Sequence, residues 1–159
     1  MDDADLDFLT EPERRFLVAL NATGVRYLLV GMSAALLQGA RGATEDVDLW
    51  FESIADGRIA EAARTAGGFW VTRAEPPRLG GALGDRFDVV THMSGLPDFA
   101  VEYAQAIDEI VGGVPVKLLP LRRIIVSKHA AGRPKDDAVV YALEAAQKVI
   151  DALEARKNR

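Results

Sequence analysis

The spacing of apolar residues changes period several times along the chain, and each change predicts a new element. Thr10 followed by Glu13, with Pro12 in the first turn, reads as a capping box. The helix it opens carries Phe16, Leu17 and Leu20 on an apolar side that Phe8 extends, and closes at Gly24. Residues 27–30 are uniformly apolar and predict a buried strand that Gly31 stops, after which residues 32–38 read as a short helix rich in Ala and Leu. Residues 45–51 alternate: Val47, Leu49 and Phe51 face one way, Asp46, Asp48 and Trp50 the other. Residues 56–66 predict a further helix, closed by Gly67 and Gly68.

In the second half, residues 69–72 and 86–91 read as strands separated by a Pro/Gly-rich loop over 76–84. Pro97 or Asp98 opens a short helical or irregular stretch that ends at Ala106. Residues 107–111 and 114–118 flank Gly112 and Gly113 at hairpin spacing. Two helices follow, 121–130 and 135–155, separated by Gly132, Arg133 and Pro134. In the second of these Val139, Leu143, Ala146, Ile150 and Leu153 recur at helical spacing and mark the core side. Strands alternating with helices, some joined by a hairpin, predict an α/β (α+β) domain: a mixed sheet flanked by helices. The 159 residues suit one domain, with a helical part from about residue 120.

Composition narrows the chemistry. The absence of cysteine excludes thiol nucleophiles, disulfides and Cys-ligated zinc, and two histidines leave little for His-based metal chemistry. An oxygen-ligand site for Mg²⁺ or Mn²⁺ remains open. A formal net charge of −5 argues against strong non-specific DNA binding. The longest uncharged stretch of the first half, residues 27–40, is shorter than the about 20 residues of a membrane span. The acidic residues 1–5 do not resemble the positive start of a signal peptide. A soluble cytoplasmic protein with no membrane partner is the expectation.

Asp46-Val47-Asp48 is the most informative triplet. Residues i and i+2 of a strand share a face about 7 Å apart, so two carboxylates there raise each other's proton affinity, a penalty that a divalent cation removes. A half-solvated strand whose polar face meets water has the same letters. Asp88 lies in a second strand pattern; beside the first strand it becomes a third oxygen ligand, suited to Mg²⁺ or to taking a proton from a hydroxyl.

Three further features bear on an anion. Gly31 joins a strand to a short helix, where backbone N–H groups and the Ser33 hydroxyl face a phosphate. Arg41, in the next loop, either contacts phosphate or faces solvent. Residues 127–137 concentrate Lys128, Arg133 and Lys135, with Lys128 and Arg133 flanking a helix junction where they reach a triphosphate, or simply lie in water; Asp136 favours the helix dipole or pairs with Arg133. His129 reads as a surface or junction residue and His92 carries no signal. Trp50, Trp70 and Tyr103 read as core packing before they read as walls of a nucleobase pocket.

These residues resemble the nucleotidyltransferase superfamily, and in particular the small bacterial AbiEii-type toxin-like nucleotidyltransferases. The likeness rests on Val30-Gly31-Met32-Ser33-Ala34, then Gly39, Thr44 and Asp46-Val47-Asp48-Leu49, and on the late segment from Lys128 to Asp136. It implies that Gly31 belongs to a phosphate-binding turn, that Asp46 and Asp48 hold metal, and that Asp88 is the third carboxylate. It implies Mg²⁺-dependent, or Mn²⁺-dependent, transfer of a nucleoside monophosphate from a nucleoside triphosphate to an unidentified acceptor hydroxyl. A cognate antitoxin or a second copy of the chain is the partner it implies. Met32 stands where the family has Gly or Ser, and Gly42 where its loop arginine often occurs. Those departures support a second reading, a catalytically weakened nucleotide-binding or partner-binding component of a toxin–antitoxin pair.

Overall fold

The computed structural model describes residues 8–159, and the acidic run at residues 1–5 lies outside them. Helix α1 (Glu11–Thr23) starts on the capping box: the Glu13 N–H donates to Thr10 Oγ1, and the Thr10 N–H donates to Glu13 Oε1 at 2.8 Å. The helix buries Phe16, Leu17 and Leu20 completely. The chain then runs through β1 (Tyr27–Val30), α2 (Gly31–Leu37), β2 (Val47–Phe51), α3 (Gly57–Thr65), β3 (Gly68–Val71), β4 (Arg78–Gly81) and β5 (Phe87–Val90). It continues with α4 (Phe99–Tyr103), β6 (Ile107–Val111), β7 (Val114–Leu118), α5 (Leu121–Ala131), a 3-10 turn (Pro134–Asp136) and α6 (Asp137–Lys157).

Five strands form one mixed sheet in the order β5-β2-β1-β7-β6. β1 is antiparallel to β2 and parallel to β7, β2 is parallel to β5, and β6 and β7 form the hairpin. Central β1 is buried along its whole length, as its uninterrupted apolar letters require. Helix α1 packs on α3 and β7, α2 on β1 and β2, and α5 on α6 and α2. The fold is therefore the expected mixed α/β architecture, a central sheet flanked by helices.

Several elements depart from the expectation, four of them in ways that matter to the site or its scaffold. The second strand begins at Val47, where the Val47 N–H meets Arg86 O at 2.7 Å, so Asp46 sits in the bend before it, its N–H donating to Thr44 Oγ1 at 3.1 Å. The stretch expected as a loop over 76–84 contains β4, which pairs antiparallel with β3. Its letters Arg-Leu-Gly-Gly bury only Leu79, so no alternation is visible; Gly80 has no side chain because the Phe69 ring lies where one would stand. The last helix runs to Lys157 behind a 3-10 turn, and its buried side centres on Val140 and Leu143, whereas Leu153 is half exposed. Asp56 caps α3, accepting from the Arg58 N–H, and is not its first turn.

The aromatic residues are packing residues. Trp50 meets Phe99 edge-on with centroids 5.5 Å apart, Trp70 meets Phe51, and Tyr103 stacks on Phe99 under the Arg26 guanidinium. Two buried carboxylates have bidentate arginine partners: Glu13 holds Arg86, which also donates to Phe8 O at 2.6 Å, and Glu102 holds Arg123. These pairs tie α1 to the start of β5 and α4 to α5.

Candidate functional site

Strands β2 and β5 run parallel in a register that places Asp48 directly beside Asp88. Neighbouring residues in such a ladder share a face and stand about 5 Å apart at the backbone. Val47, Leu49, Phe87 and Val89 go into the core, so the intervening Asp48 and Asp88 are left on the opposite face. Asp46 stands exposed at the entrance to β2.

Neighbouring carboxylate charges act on Asp48 and on Asp88. Partial burial, followed by the charges of Asp88 and Asp46, pushes the Asp48 carboxyl up to about 6, with Lys128 acting in the opposite sense. Burial, then the Asp46 charge, also raises Asp88, which Arg78 of β4 offsets. Among the described residues no three His, Cys, Asp or Glu side chains are gathered into a ready-made metal site. The donor set still fits a hard cation. Two adjacent carboxylates and a third nearby supply only oxygens, and the crowding that raises Asp48 is what a divalent cation relieves.

Gly31 opens α2 directly against Asp48. Its φ is +67°, and a Cβ there would overlap Asp48 Oδ2. Only glycine meets both conditions. A cavity of about 540 Å³ spreads from this point, and its lining includes Val30, Gly31, Asp48, Ser127, Lys128 and Arg133. Val90 at the end of β5 and His92, Met93 and Ser94 just after it line the same cavity. The structure thus brings the glycine turn, one strand carboxylate and two cations of the helix junction to one cavity.

The other sequence candidates lie elsewhere. The Ser33 hydroxyl is fully buried and donates to Val30 O at 3.3 Å, inside the first turn of α2 and away from the cavity lining. Arg41 lines a separate groove of about 690 Å³ formed with Tyr141, Ala145, Val149 and Leu153 of α6. Met32 and Gly42, singled out separately as departures, prove to be one packing pair: a Cβ at Gly42 would stand 2.5 Å from Met32 Cε. Sequence reading passed over Ser127, His92, Met93 and Ser94. For the last three the available signal was their place just after the strand that carries Asp88.

Lys128 and Arg133 share one anion within the protein. Asp136, 7% exposed, accepts from Arg133 Nε on Oδ2 at 2.7 Å and holds Lys128 Nζ at 3.7 Å from Oδ1. His129 turns outward to Glu144 of α6 at 2.8 Å.

No family model matches the chain, and no curated protein matches it. Solved structures do. The crystal structure of ANT(2'')-Ia in complex with adenylyl-2''-tobramycin superposes with a TM-score of 0.51 at 19% identity, covering 90% of this chain and 95% of that one. The solution structure of the antibiotic-resistance factor ANT(2'')-Ia gives 0.55 at 19% identity, covering 99% and 95%. Among the described residues no helix is long and apolar enough to cross a membrane. The chain shares the overall fold of ANT(2'')-Ia.

Proposed function

We propose that the protein is a divalent-metal-dependent nucleotidyltransferase that moves a nucleoside monophosphate from a nucleoside triphosphate to an acceptor hydroxyl. The observation that carries this reading is the register pairing of Asp48 with Asp88, where Asp48 lines a cavity together with Gly31, Lys128 and Arg133. Asp48 and Asp88, with Asp46, would hold Mg²⁺ or Mn²⁺. Such a cation supplies charge neutralisation at the transferred phosphoryl group and at the leaving oxygen. Lys128 and Arg133 bind the triphosphate electrostatically, and the backbone at Gly31 approaches it closely because no side chain intervenes.

In the transfer the acceptor oxygen bonds to the α-phosphorus, the bond from that phosphorus to the β-phosphate oxygen breaks, and pyrophosphate leaves. Asp88, whose proton affinity burial and the Asp46 charge raise, takes the hydroxyl proton. ANT(2'')-Ia, whose crystal structure contains adenylyl-2''-tobramycin, makes a small hydroxylated molecule the first acceptor class to try. The test is incubation with α-labelled nucleoside triphosphates, Mg²⁺ and a panel of hydroxyl acceptors that includes tobramycin. Metal-dependent pyrophosphate release with label on an acceptor, lost in Asp48→Asn, supports the reading. Binding without transfer across the panel and in a cell extract overturns it.

The second reading is a weakened nucleotide-binding component of a toxin–antitoxin pair, the place where the AbiEii-type likeness belongs. The Gly42 backbone favours it, since its φ of +149° suits glycine and a side chain there would also have to displace the Met32 methyl. Nucleotide binding without turnover, restored to turnover by an arginine at Gly42 together with Met32→Gly, distinguishes it from the first reading.

A further inference from the structure

Lys128 faces two acids. It lines the same cavity as Asp48 and acts on that carboxylate through its charge, yet its ion-pair partner is Asp136. Asp136 is well placed to hold it. The residue ends the 3-10 turn Pro134–Asp136, with its N–H on Arg133 O at 2.9 Å, and is almost completely buried at the junction of α5 and α6. Its two oxygens are divided between two cations, Oδ2 to Arg133 and Oδ1 to Lys128. Without that anion Lys128 is drawn toward Asp48, the carboxylate of the same cavity on which its charge already acts, because a partly buried ammonium and a partly buried carboxylate attract strongly where solvent is thin.

We infer that Asp136 is a positioning residue: by anchoring Lys128 and Arg133 on its two carboxylate oxygens it keeps Lys128 off Asp48, so that Asp48 stays free for a cation. The purpose assigned to the free carboxylate rests on the proposed metal-dependent reading; the restraint on Lys128 does not. Arg133 is the second rivet, since its bond to Oδ2 fixes the plane of the Asp136 carboxylate and so the direction of Oδ1.

A metal-free cycle on the full chain tests the restraint. Melting temperatures are measured in chelator at pH 8 for the parent, Asp48→Asn, Asp136→Asn and the double variant. Removing the crowded Asp48 charge raises the melting temperature of the parent. In the Asp136→Asn background the same change raises it by less than half as much, because Lys128 has already moved to Asp48. Adding Lys128→Gln to Asp136→Asn restores the full rise, which a general loosening of the helix junction does not do. Equal rises in all backgrounds, no rise in the parent, or no restoration on removing Lys128 overturns the inference. Asp136→Ser takes the place of Asp136→Asn should that variant fail to fold. Mn²⁺ binding followed by paramagnetic resonance gives the functional side: Asp136→Asn weakens it about tenfold, and Lys128→Gln in that background recovers it. A parent that binds no Mn²⁺ contradicts the metal reading of the site, while the melting cycle still decides the role of Asp136.

Discussion

Asp48 and Asp88 are direct register partners on parallel strands, so two carboxylates of like charge share one face of the sheet. The consequence is a pH dependence with a definite sign. Asp48 ordinarily titrates near 3.8 and is pushed up to about 6 in the fold. Between those values the folded chain binds more protons than the unfolded one, so the contribution of Asp48 to stability falls as pH rises and stays lowered above about pH 6. In chelator, Asp48→Asn should match the parent below about pH 4 and exceed it above pH 6 by about 2 kcal/mol, after allowance for partial exposure. Urea unfolding at a series of pH values checks this; a parent more stable than the variant at pH 8 without metal contradicts it.

Gly31→Ala is the sharpest structural probe of the site. The new methyl overlaps Asp48 Oδ2 at a backbone φ of +67°. Both effects act in the same direction, and a loss of about 2 kcal/mol is expected. Because the displaced atom is a proposed ligand, Mn²⁺ affinity should fall with it. An unchanged midpoint in urea and unchanged Mn²⁺ binding would show that the turn and the carboxylate are not in contact.

The scaffold that presents Asp88 depends on Arg86. Its guanidinium neutralises Glu13, which is 2% exposed, and bonds Phe8 O at the start of the described chain. Arg86→Met leaves a buried carboxylate without its partner and should destabilise the protein by about 3 kcal/mol. Arg86→Met with Glu13→Gln should recover much of that loss, and chemical denaturation of both variants measures it. A small effect for the single variant would mean that water reaches Glu13.

Ser33 and Arg41 make a negative prediction. Ser33 is committed to Val30 O and Arg41 lies in the α6 groove, so neither faces the cavity at Asp48. Ser33→Ala should lower stability by about 1 kcal/mol, and both Ser33→Ala and Arg41→Ala should leave nucleoside triphosphate affinity unchanged. Lys128→Gln should weaken it about tenfold, the loss of one charge-assisted contact. Calorimetry on the three variants separates the cases; weaker binding in Arg41→Ala would put that loop back at the ligand.

Most of this architecture could be read from the letters where burial is one-sided. The capping box at Thr10 and Glu13, the all-apolar run of β1 and the glycine pair between β6 and β7 each have one economical solution, and the fold adopts it. The alternation of Asp48 with Val47 and Leu49 predicted which face it takes, but not that Asp88 stands beside it, because pairing between β2 and β5 is a long-range choice that no local period encodes. β4 was illegible because two of its residues are glycine and its face is set by the Phe69 ring of its partner strand. The direction of Ser33 depended on which side of α2 meets β1 and β2, and that of Arg41 on the docking of α6, both tertiary facts. The junction cations were visible as a basic segment. The pairing of Asp136 with Arg133 was one of two readings of that segment, and the structure has it; that the same carboxylate also holds Lys128 emerges only when α5 packs on the 3-10 turn.

The central claim is that Asp48 and Asp88 together hold a divalent cation that brings a nucleoside triphosphate to Lys128 and Arg133. Mn²⁺ titration by paramagnetic resonance, with and without a non-hydrolysable nucleoside triphosphate, tests it most directly in the parent, Asp48→Asn and Asp88→Asn. Mn²⁺ should bind the parent, bind it more tightly when nucleotide is present, and bind neither variant. Nucleotide-independent Mn²⁺ binding that persists in Asp48→Asn and Asp88→Asn would contradict it.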